Sequence, residues 1–483
     1  MKKKILMRRT KVKSSYTGEF NFTKYLEKVA DAETILYTGK VTAVRGLEIE
    51  SEGPRSVIGE ICTIKLEDGS LLEAEVVGLE GKKVRLAPYG DTKGIEVGLE
   101  VIGTGKTLMV PVGYNLLGRM INASGKPCDD KGEIVPQTYY PAVQNPPSPN
   151  ERQDINRRIT TGVRAIDSML TVGKGQRLGI FAGSGVGKST LLSIIARNTD
   201  ADINVIGLIG ERGREVLDFV RRDLGEEGMK RSVLVVATSD EPSICRLRAA
   251  QVCTAVAEYF RDQGKDVMLM MDSVTRFAHA QREIGLANGE PPAQKGYPPS
   301  VFDMIPKLLE RTGTNKKGSI TAFYTVLVDG DDMNEPITDK VRGTLDGHIV
   351  LNRKLAQAYH YPAIDVLQSI SRLSKRVSGV QTRKAVAQVR TWMATYQDNE
   401  TMITSGIYEK GKSALVDIAI EKHQPIEDFL IQEEYEPSTI EQMLGKLSAL
   451  TGIEIPKEEY VESPSIMIPT TAQIVDAQTK ITE

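Results

Sequence analysis

A glycine-rich loop at residues 182–189 carries the clearest chemical signal in the sequence. Ala182-Gly-Ser-Gly-Val-Gly-Lys-Ser189 follows the apolar run Arg177–Ala182 and precedes a helix-like run, Ser189–Asn198. Strand, glycine-rich turn and helix in this order form a phosphate-binding loop, because glycines let backbone N–H groups face phosphate oxygens and a helix N-terminus attracts anions. Ala182 stands where the strict pattern has glycine, and its small side chain suits the same place. A tight turn without a ligand is the alternative.

The loop supplies most of the predicted nucleotide contacts. The Lys188 ammonium can reach the β- and γ-phosphates of ATP, and the Ser189 hydroxyl can bind Mg²⁺. The predicted nucleotide-binding residues of the loop are Gly183, Ser184, Gly185, Val186, Gly187, Lys188, Ser189 and Thr190.

Two carboxylates follow later apolar strands. Asp272 ends the run Val267-Met-Leu-Met-Met-Asp, and the C-terminal end of a parallel strand lies at the ligand crevice, where a carboxylate can hold Mg²⁺. A cap for the next helix is the alternative role. Glu211 follows the run Ile203–Gly210 and is the candidate that orients the attacking water. Its alternative is an acidic residue that interacts with a helix dipole.

The composition indicates a globular protein without a zinc or disulfide framework. Over 483 residues, 62 Lys and Arg balance 64 Asp and Glu, and the net charge of −2 argues against a protein that coats nucleic acid. Cys62, Cys128, Cys245 and Cys253 have no metal-ligand spacing, which predicts free thiols in a reducing cytosol.

The N-terminal region is basic but lacks the features of a secretory signal. No apolar stretch of about 7–15 residues follows Met1-Lys-Lys-Lys, and no run of about 18 apolar residues occurs in the chain. We therefore expect a cytoplasmic protein, with the basic arm either solvated or docked on a partner or membrane surface.

Residue patterns predict an α/β protein in several segments. Alternating apolar and polar residues with glycine turns predict a β-barrel, and apolar strands alternating with helices predict a parallel sheet covered on both faces. Helix-like runs, such as Lys384–Tyr396 and Ile426–Glu433, predict a helical C-terminal domain. The predicted segments are a basic arm at 1–33, the barrel at 34–105, the nucleotide-binding domain at 106–373, the helical domain at 374–440 and an extension at 441–483.

Four motifs in order resemble the rotary ATPase superfamily, which includes the F-type and V-type catalytic subunits. They are the loop at 182–189, Gly210-Glu-Arg-Gly-Arg-Glu, Asp272-Ser-Val-Thr-Arg276 and Tyr361-Pro-Ala-Ile-Asp-Val-Leu-Gln-Ser-Ile-Ser-Arg372. Further blocks are similar to flagellar protein-export ATPases and to injectisome ATPases, namely Gly285-Leu-Ala-Asn-Gly-Glu-Pro-Pro, Lys295-Gly-Tyr and Tyr324-Thr-Val-Leu-Val-Asp-Gly-Asp-Asp-Met-Asn-Glu-Pro-Ile. The resemblance spans about residues 105–440 and implies a RecA-like central domain.

The resemblance also implies roles for individual residues. Glu211 matches the residue that polarises water, and Arg212 and Arg276 match arginines near the γ-phosphate. Tyr361 matches the tyrosine that stacks on adenine, and Tyr408 is expected to close the other side of that pocket. Arg372 matches the arginine finger, whose planar guanidinium stabilises transition-state charge.

A chain with both Lys188 and Arg372 can complete the site of an identical neighbour, and head-to-tail contacts of this kind close into rings. By resemblance the ring is a homohexamer that hydrolyses ATP with Mg²⁺ and energises flagellar protein export. The implied partners are a stator-like regulatory protein at the N-terminal arm, a central stalk protein, the export gate and chaperone–cargo complexes, with peripheral membrane association and no nucleic acid. The alternatives are an injectisome ATPase, a non-catalytic nucleotide-binding scaffold and an RNA translocase; for the last, residues 34–105 offer only Tyr37 and Tyr89 as stacking aromatics.

Overall fold

The structure, a computed structural model, describes residues 36–461 apart from Leu47, Asp329 and Asp331. The predicted arm at 1–33 and the part of the predicted extension after residue 461 lie outside the described residues. The strands are β1 Thr38–Arg45, β2 Glu48–Glu52, β3 Glu60–Lys65, β4 Leu71–Glu80, β5 Lys83–Pro88, β6 Glu100–Thr107, β7 Met109–Val112, β8 Met120–Ile121, β9 Thr138–Pro141, β10 Arg158–Ile159, β11 Val172–Gly173, β12 Arg177–Ala182, β13 Ile203–Glu211, β14 Ser232–Thr238, β15 Asp266–Asp272, β16 Gly313–Thr314, β17 Ser319–Leu327, β18 Gly347–Leu351 and β19 Ile364–Ser371.

The first six strands close into the predicted barrel, in the order β1-β2-β5-β4-β3-β6. Apolar and polar side chains alternate along these strands, so that one face of each strand lines the barrel interior. In β3, Cys62 and Ile64 are buried in the interior while Thr63 is only partly buried. The strand predicted from Val57 begins at Glu60, because Gly59 has a φ of 86° and Val57 lies exposed in the preceding turn.

The central sheet is the predicted parallel sheet, with an antiparallel outer strand, β19, and the short antiparallel strand β16. Its order is β19-β18-β12-β17-β15-β13-β14-β8, with β16 paired to β17. The neighbours from β18 to β8 run parallel, whereas β19 runs antiparallel to β18. The C-terminal ends of β12, β13 and β15 therefore meet at one edge of the sheet, which is the edge that binds ligands in such folds.

Helices cover both faces of this sheet. They are α1 Arg164–Met169, α2 Lys188–Asn198, α3 Gly213–Asp218, α4 Gly225–Lys230, α5 Ser243–Asp262, α6 Val274–Ala287, α7 Pro299–Leu309, α8 Pro336–Thr344, α9 Arg353–Gln357, α10 Ser374–Val377, α11 Val380–Thr404, α12 Ala414–Leu430 and α13 Ile440–Thr451. One buried apolar cluster joins the sheet to α5–α8, and a second joins it to α1, α2 and the C-terminal helices. None of the helices in the described ranges is long and apolar enough to cross a bilayer.

The C-terminal helices form the predicted helical domain. The run predicted at Ile426–Glu433 is the end of α12, which passes through Pro425 and ends at Leu430. Helix α13 buries Met443, Leu444 and Leu447 against the same core. The helical part of the chain thus continues past residue 440, where the sequence predicts the start of an extension.

The segment after α13 fastens this domain to the nucleotide-binding part. The Glu459 carboxylate accepts hydrogen bonds from the backbone N–H of Gln381 at 2.9 Å and of Thr382 at 2.8 Å, in the first turn of α11. The Arg158 guanidinium donates to the backbone carbonyls of Glu459 and Val461 at 2.7 and 2.8 Å. A carboxylate at a helix N-terminus satisfies amides that have no partner within the helix. Glu459 therefore caps α11, and Arg158 holds the segment that carries Glu459 in place.

Candidate nucleotide-binding and catalytic site

The phosphate-binding loop lies at the ligand edge of the sheet, between β12 and α2. Gly185 and Gly187 have φ values of 76° and 89°, a region that side chains with a Cβ rarely adopt. Gly187 is the N-terminal cap of α2, which begins at Lys188. The loop therefore directs backbone amides and a helix N-terminus toward the same open space, as a triphosphate requires.

Lys188 joins the two predicted carboxylates. Its Nζ lies 2.6 Å from Asp272 Oδ1 and 3.6 Å from Glu211 Oε1. Glu211 ends β13 and Asp272 ends β15, and these two strands are neighbours in the sheet. The structure thus brings together three residues that the sequence predicts for phosphate binding, water activation and metal binding.

The charges in this cluster do not balance. Burial raises the pKa of Glu211 to about 7, and the negative charge of Asp272 adds to the rise while Lys188 opposes it. Burial alone would lower the pKa of Lys188, but the charges of Asp272 and Glu211 outweigh it and raise that pKa. With both carboxylates ionised, one ammonium faces two negative charges. When Glu211 is ionised, the cluster therefore carries a net negative charge that suits a divalent cation.

The donor set fits Mg²⁺ bound together with phosphate. In the described part of the chain, no group of three or more His, Cys, Asp or Glu side chains is placed to hold a metal by itself. Mg²⁺ commonly uses one or two protein ligands and completes its shell with water and substrate phosphates. Ser189 and Asp272 are the residues that would hold it here, and the ion would supply charge neutralisation to the β- and γ-phosphates.

A residue that the sequence analysis missed holds Asp272 in place. The Thr325 hydroxyl, which is buried in β17, donates to Asp272 Oδ1 at 2.7 Å. The feature that would have identified Thr325 is the strand register, because β15 and β17 run parallel with Met271 opposite Tyr324. That register places Thr325 level with Asp272 and could be inferred only once the strand order is known.

The two arginines predicted near the γ-phosphate have different surroundings. Arg276, in the first turn of α6, packs against the turn before Glu211: a Cβ placed on Gly210 would lie 2.9 Å from Arg276 Cγ. Its Nε is buried and has no hydrogen-bond partner within the described residues. The Arg212 side chain is 77% exposed and pairs with Glu215 at 3.0 Å. The structure therefore places Arg276 beside the site and leaves Arg212 on the surface next to it.

Tyr361 packs directly on the phosphate-binding loop. A Cβ placed on Gly187 would lie 3.2 Å from Tyr361 Cε1, so the ring covers the last glycine of the loop. The backbone carbonyl of Tyr361 accepts a hydrogen bond from the Gln432 N–H at 2.9 Å, and 39% of the residue remains exposed. This position suits a ring that stacks on an adenine base.

Tyr408 lies in the loop between α11 and α12 and is held there. Its hydroxyl lies 3.1 Å from the Ser413 carbonyl oxygen and 3.0 Å from Asp417 Oδ1, and either oxygen can accept its proton. In the described structure it makes no ring contact with Tyr361. The pairing of the two tyrosines around adenine therefore remains a prediction from the resemblance.

A cavity of about 750 Å³ adjoins the loop, between the sheet and the helical domain. Ala182 and Gly183 border it on the sheet side, and the stacked rings of Tyr396 and His423, 3.7 Å apart, border it on the helical side. Its volume is in the range of small-molecule sites. The loop thus has open space on the side of the helical domain.

Arg372 lies at the opposite edge of the sheet from the loop of its own chain. Because β19 runs antiparallel to β18, its first residue, Ile364, pairs with Leu351 near the loop. Its last residue, Ser371, pairs with Gly347 at the opposite end of β18, away from the loop. The eight residues of β19 span about 25 Å at about 3.3 Å per residue. Arg372 is exposed, and its backbone N–H donates to the Asp346 carbonyl at 3.0 Å. The side chain cannot reach a nucleotide held by Lys188 of the same chain.

Comparison with known proteins identifies the family. The beta-barrel domain of the ATP synthase alpha/beta family matches residues 41–105, its nucleotide-binding domain matches 162–371, and the T3SS EscN ATPase C-terminal domain matches 379–449. The flagellum-specific ATP synthase of Treponema pallidum is 57% identical, over 89% of this chain and 97% of its own length. That of Bacillus subtilis is 54% identical, over 86% and 95%, and the type 3 secretion system ATPase of Xanthomonas euvesicatoria is 49% identical, over 86% and 94%.

Solved structures agree with this result. The assembled ATPase EscN from the type III secretion system of enteropathogenic E. coli superimposes with a TM-score of 0.82 at 44% identity, over 86% of this chain and all of that chain. EscN in complex with its central stalk EscO gives a TM-score of 0.80 at 43% identity, over the same shares of the two chains. The chain therefore belongs to the ATP synthase alpha/beta family, among the ATP hydrolases that include the flagellum-specific and type III secretion ATPases.

Proposed function

We propose that this ATP hydrolase works as a ring of six identical copies and energises protein export through a flagellar type III apparatus. The observation that carries the ring is the position of Arg372. It lies about 25 Å from the loop end of β19 and is exposed, so it serves a nucleotide bound by another copy. A contact in which one end of a copy meets the other end of the next closes into a ring.

Each residue of the site has a defined task in hydrolysis. The loop amides and Lys188 bind the phosphates, with Lys188 exchanging part of its contact with Asp272 for phosphate oxygens. Glu211, as a carboxylate, accepts a hydrogen bond from the attacking water, which forms a bond to the γ-phosphorus as the bond to the bridging oxygen breaks and ADP leaves. Arg276 and the neighbouring copy's finger stabilise the charge on the transferred group, and Tyr361 holds the base.

Mixing two inactive variants tests the arrangement between copies. Lys188→Ala removes phosphate binding and Arg372→Ala removes the finger, so each variant alone is expected to be inactive. In a ring assembled at random from equal amounts of the two variants, each site has a probability of about one half of having an intact loop, from an R372A copy. It has an independent probability of about one half of receiving an intact Arg372, from a K188A neighbour, so about a quarter of the sites are complete. ATPase activity of the mixture should therefore recover toward a quarter of the wild-type value. A mixture as inactive as its components would exclude a finger that acts between copies.

A flagellar role is favoured over an injectisome role by the ranking of the relatives. The flagellum-specific relatives of Treponema pallidum and Bacillus subtilis are 57% and 54% identical, above the injectisome relatives of Xanthomonas euvesicatoria and of the Salmonella SPI-2 system at 49% and 48%, although the flagellum-specific relative of Borreliella burgdorferi is also 48% identical. The genes beside this one in its genome decide between the two roles. Flagellar rod, hook and export-gate genes support the proposal, and needle and translocator genes contradict it.

The proposed partners follow from the surfaces and from the relatives. Because EscN is solved with a central stalk, we assign a stalk contact to the loop end of the α11–α12 pair, where Met402, Ile407, Leu415 and Ile418 are exposed. The proposal places a stator-like regulator on the arm at 1–33, and the export gate and chaperone–cargo complexes at the helical domain. The protein is then cytoplasmic and peripheral to the membrane.

Two other functions have less support. A non-catalytic scaffold has no use for Glu211, which lies 3.6 Å from the lysine that binds phosphate; phosphate release above background by the purified protein excludes this role. An RNA translocase needs several exposed aromatics on the barrel. Tyr37 is 50% exposed, but Tyr89 is partly buried and its hydroxyl donates to Glu75 Oε2 at 2.8 Å. RNA-stimulated turnover would support a translocase.

A further inference from the structure

A second arginine lies beside Arg372 at the far edge of the sheet. Arg342 is in the last turn of α8, and Asp346 follows the end of that helix by two residues. The Asp346 carbonyl accepts the backbone hydrogen bond of Arg372. Arg342 therefore lies four residues before the residue that is hydrogen-bonded to Arg372, at the same end of β19.

The positive charges of Arg342 and Arg372 both act on His348, which lies in the strand next to β19. It is half-buried in β18, and its Nε2 lies 3.0 Å from the Gln368 carbonyl oxygen. Burial is the main reason that the pKa of His348 is lowered, and the positive charges of Arg342 and Arg372 both lower it further. Two cations thus act on one imidazole, which is itself neutral at pH 7.

Little negative charge neutralises this pair of arginines. The Asp346 carboxylate is bound by the Arg177 guanidinium, at 3.0 and 3.2 Å. Arg342 pairs with Asp339 at 2.9 Å, but the Asp339 side chain is 67% exposed, and exposed pairs of this kind contribute little. Arg372 has no ion pair among residues 36–461 as described.

We propose that Arg342 is a second arginine that acts between copies and, together with Arg372, binds the terminal phosphates of ATP held in the adjacent copy's loop. Two guanidinium groups offer several N–H donors in fixed planes, which suits an anion with several oxygens. An incoming triphosphate displaces the weak contact with Asp339. This inference rests on the ring arrangement proposed above and adds a residue to the face that completes the neighbouring site.

Arg342→Ala, tested in the full chain at a protein concentration that saturates ATPase activity, measures the contribution of this residue. Loss of a charged phosphate contact predicts a decrease of roughly ten- to a hundredfold in kcat/KM. Lys230→Ala is the matched control, because Lys230 also lies in the last turn of a helix and pairs three residues back with Glu227, at 2.5 Å. Arg342→Lys keeps the charge but not the planar fork and should recover only part of the rate, and Arg342→Gln replaces the alanine variant if that one fails to fold.

Mixing separates a role between copies from a structural role. R342A mixed 1:1 with K188A should regain activity, since K188A supplies an intact arginine face to the R342A loop. The inference is overturned if R342A retains activity within about twofold of K230A. It is also overturned if the mixture of R342A with K188A stays as inactive as R342A alone while the mixture of R372A with K188A recovers. Arg372 would then act between copies and Arg342 would not. Failure of both mixtures removes the ring proposal and this inference together.

Discussion

Replacing Glu211 by Gln should stabilise the nucleotide-free protein at alkaline pH while abolishing hydrolysis. The Glu211 carboxyl shares Lys188 with Asp272, and burial together with the Asp272 charge raises its pKa from 4.5 to about 7. A folded-state pKa above the unfolded one means that the protonated form is favoured by folding. The stability from this group is present below pH 4.5 and is lost as the pH rises through about 7. Because glutamine does not ionise, the E211Q variant does not lose this stability as the pH rises.

The size of the effect follows from the same shift. The rise from 4.5 to about 7 corresponds to about 3 kcal/mol, and solvent screening at the rim of the site reduces this to about 1.5 kcal/mol. E211Q should therefore unfold a few degrees above the wild type at pH 8. The difference should shrink steadily between pH 7 and pH 5 and vanish near pH 4.5.

Thermal unfolding of both proteins between pH 5 and 8.5, without nucleotide, measures this difference. Glu227→Gln is the control, because it makes the same chemical change in a side chain that is 86% exposed, and it should leave the melting temperature unchanged. The kcat/KM of the wild type should fall about tenfold from pH 8 to pH 6, as the carboxylate becomes protonated. A melting-temperature difference that is negative at pH 8, or that does not change with pH, would refute the charge imbalance assigned to this site.

Substitutions at three further residues test other contacts. Lys188→Met should reduce ATP turnover to background and weaken nucleotide binding in a fluorescent-nucleotide titration; turnover above about a tenth of wild type would remove Lys188 from its role. Tyr361→Ala should raise the KM for ATP by about tenfold, since stacking on a base contributes roughly 1–3 kcal/mol, whereas Tyr361→Phe should stay near wild type; equal KM values for the two variants would exclude stacking. Glu459→Gln should cost about 1 kcal/mol of stability and increase amide exchange in the first turn of α11 around Thr382, and unchanged exchange there would contradict the capping role.

Much of the site could be predicted because its signals are local. Lys188 and the glycines lie in one short loop, and Glu211 and Asp272 each end a continuous apolar run. A parallel sheet brings the ends of such runs to one edge, so the cluster follows from the fold class. The barrel was predictable for a similar reason, since each strand carries its own alternation and the turns are marked by glycine.

The remaining features depend on contacts between distant parts of the chain. The antiparallel direction of β19 decides that Arg372 faces away from its own loop, yet its sequence does not differ from that of a parallel edge strand. Thr325 and Tyr361 gain their positions from register and packing, and Glu459 caps a helix 77 residues earlier. Helix α12 passes through Pro425, although a proline usually marks a helix boundary in sequence. Such features become visible only when the strand order and the packing are known.

Strand β19 connects two nucleotides in the proposed ring. Tyr361 precedes it and would stack on the base bound by its own copy, while Arg372 follows it and would reach the phosphates bound by an adjacent copy. If adenine displaces this tyrosine, the hydrogen-bonded strand offers a direct connection from it to the arginine, and we expect the two sites to be coupled. On this hypothesis, occupancy of one site changes the hydrolytic barrier at the adjacent site that receives the arginine. The hypothesis then predicts that the copies hydrolyse ATP in an order set by the orientation of this edge strand.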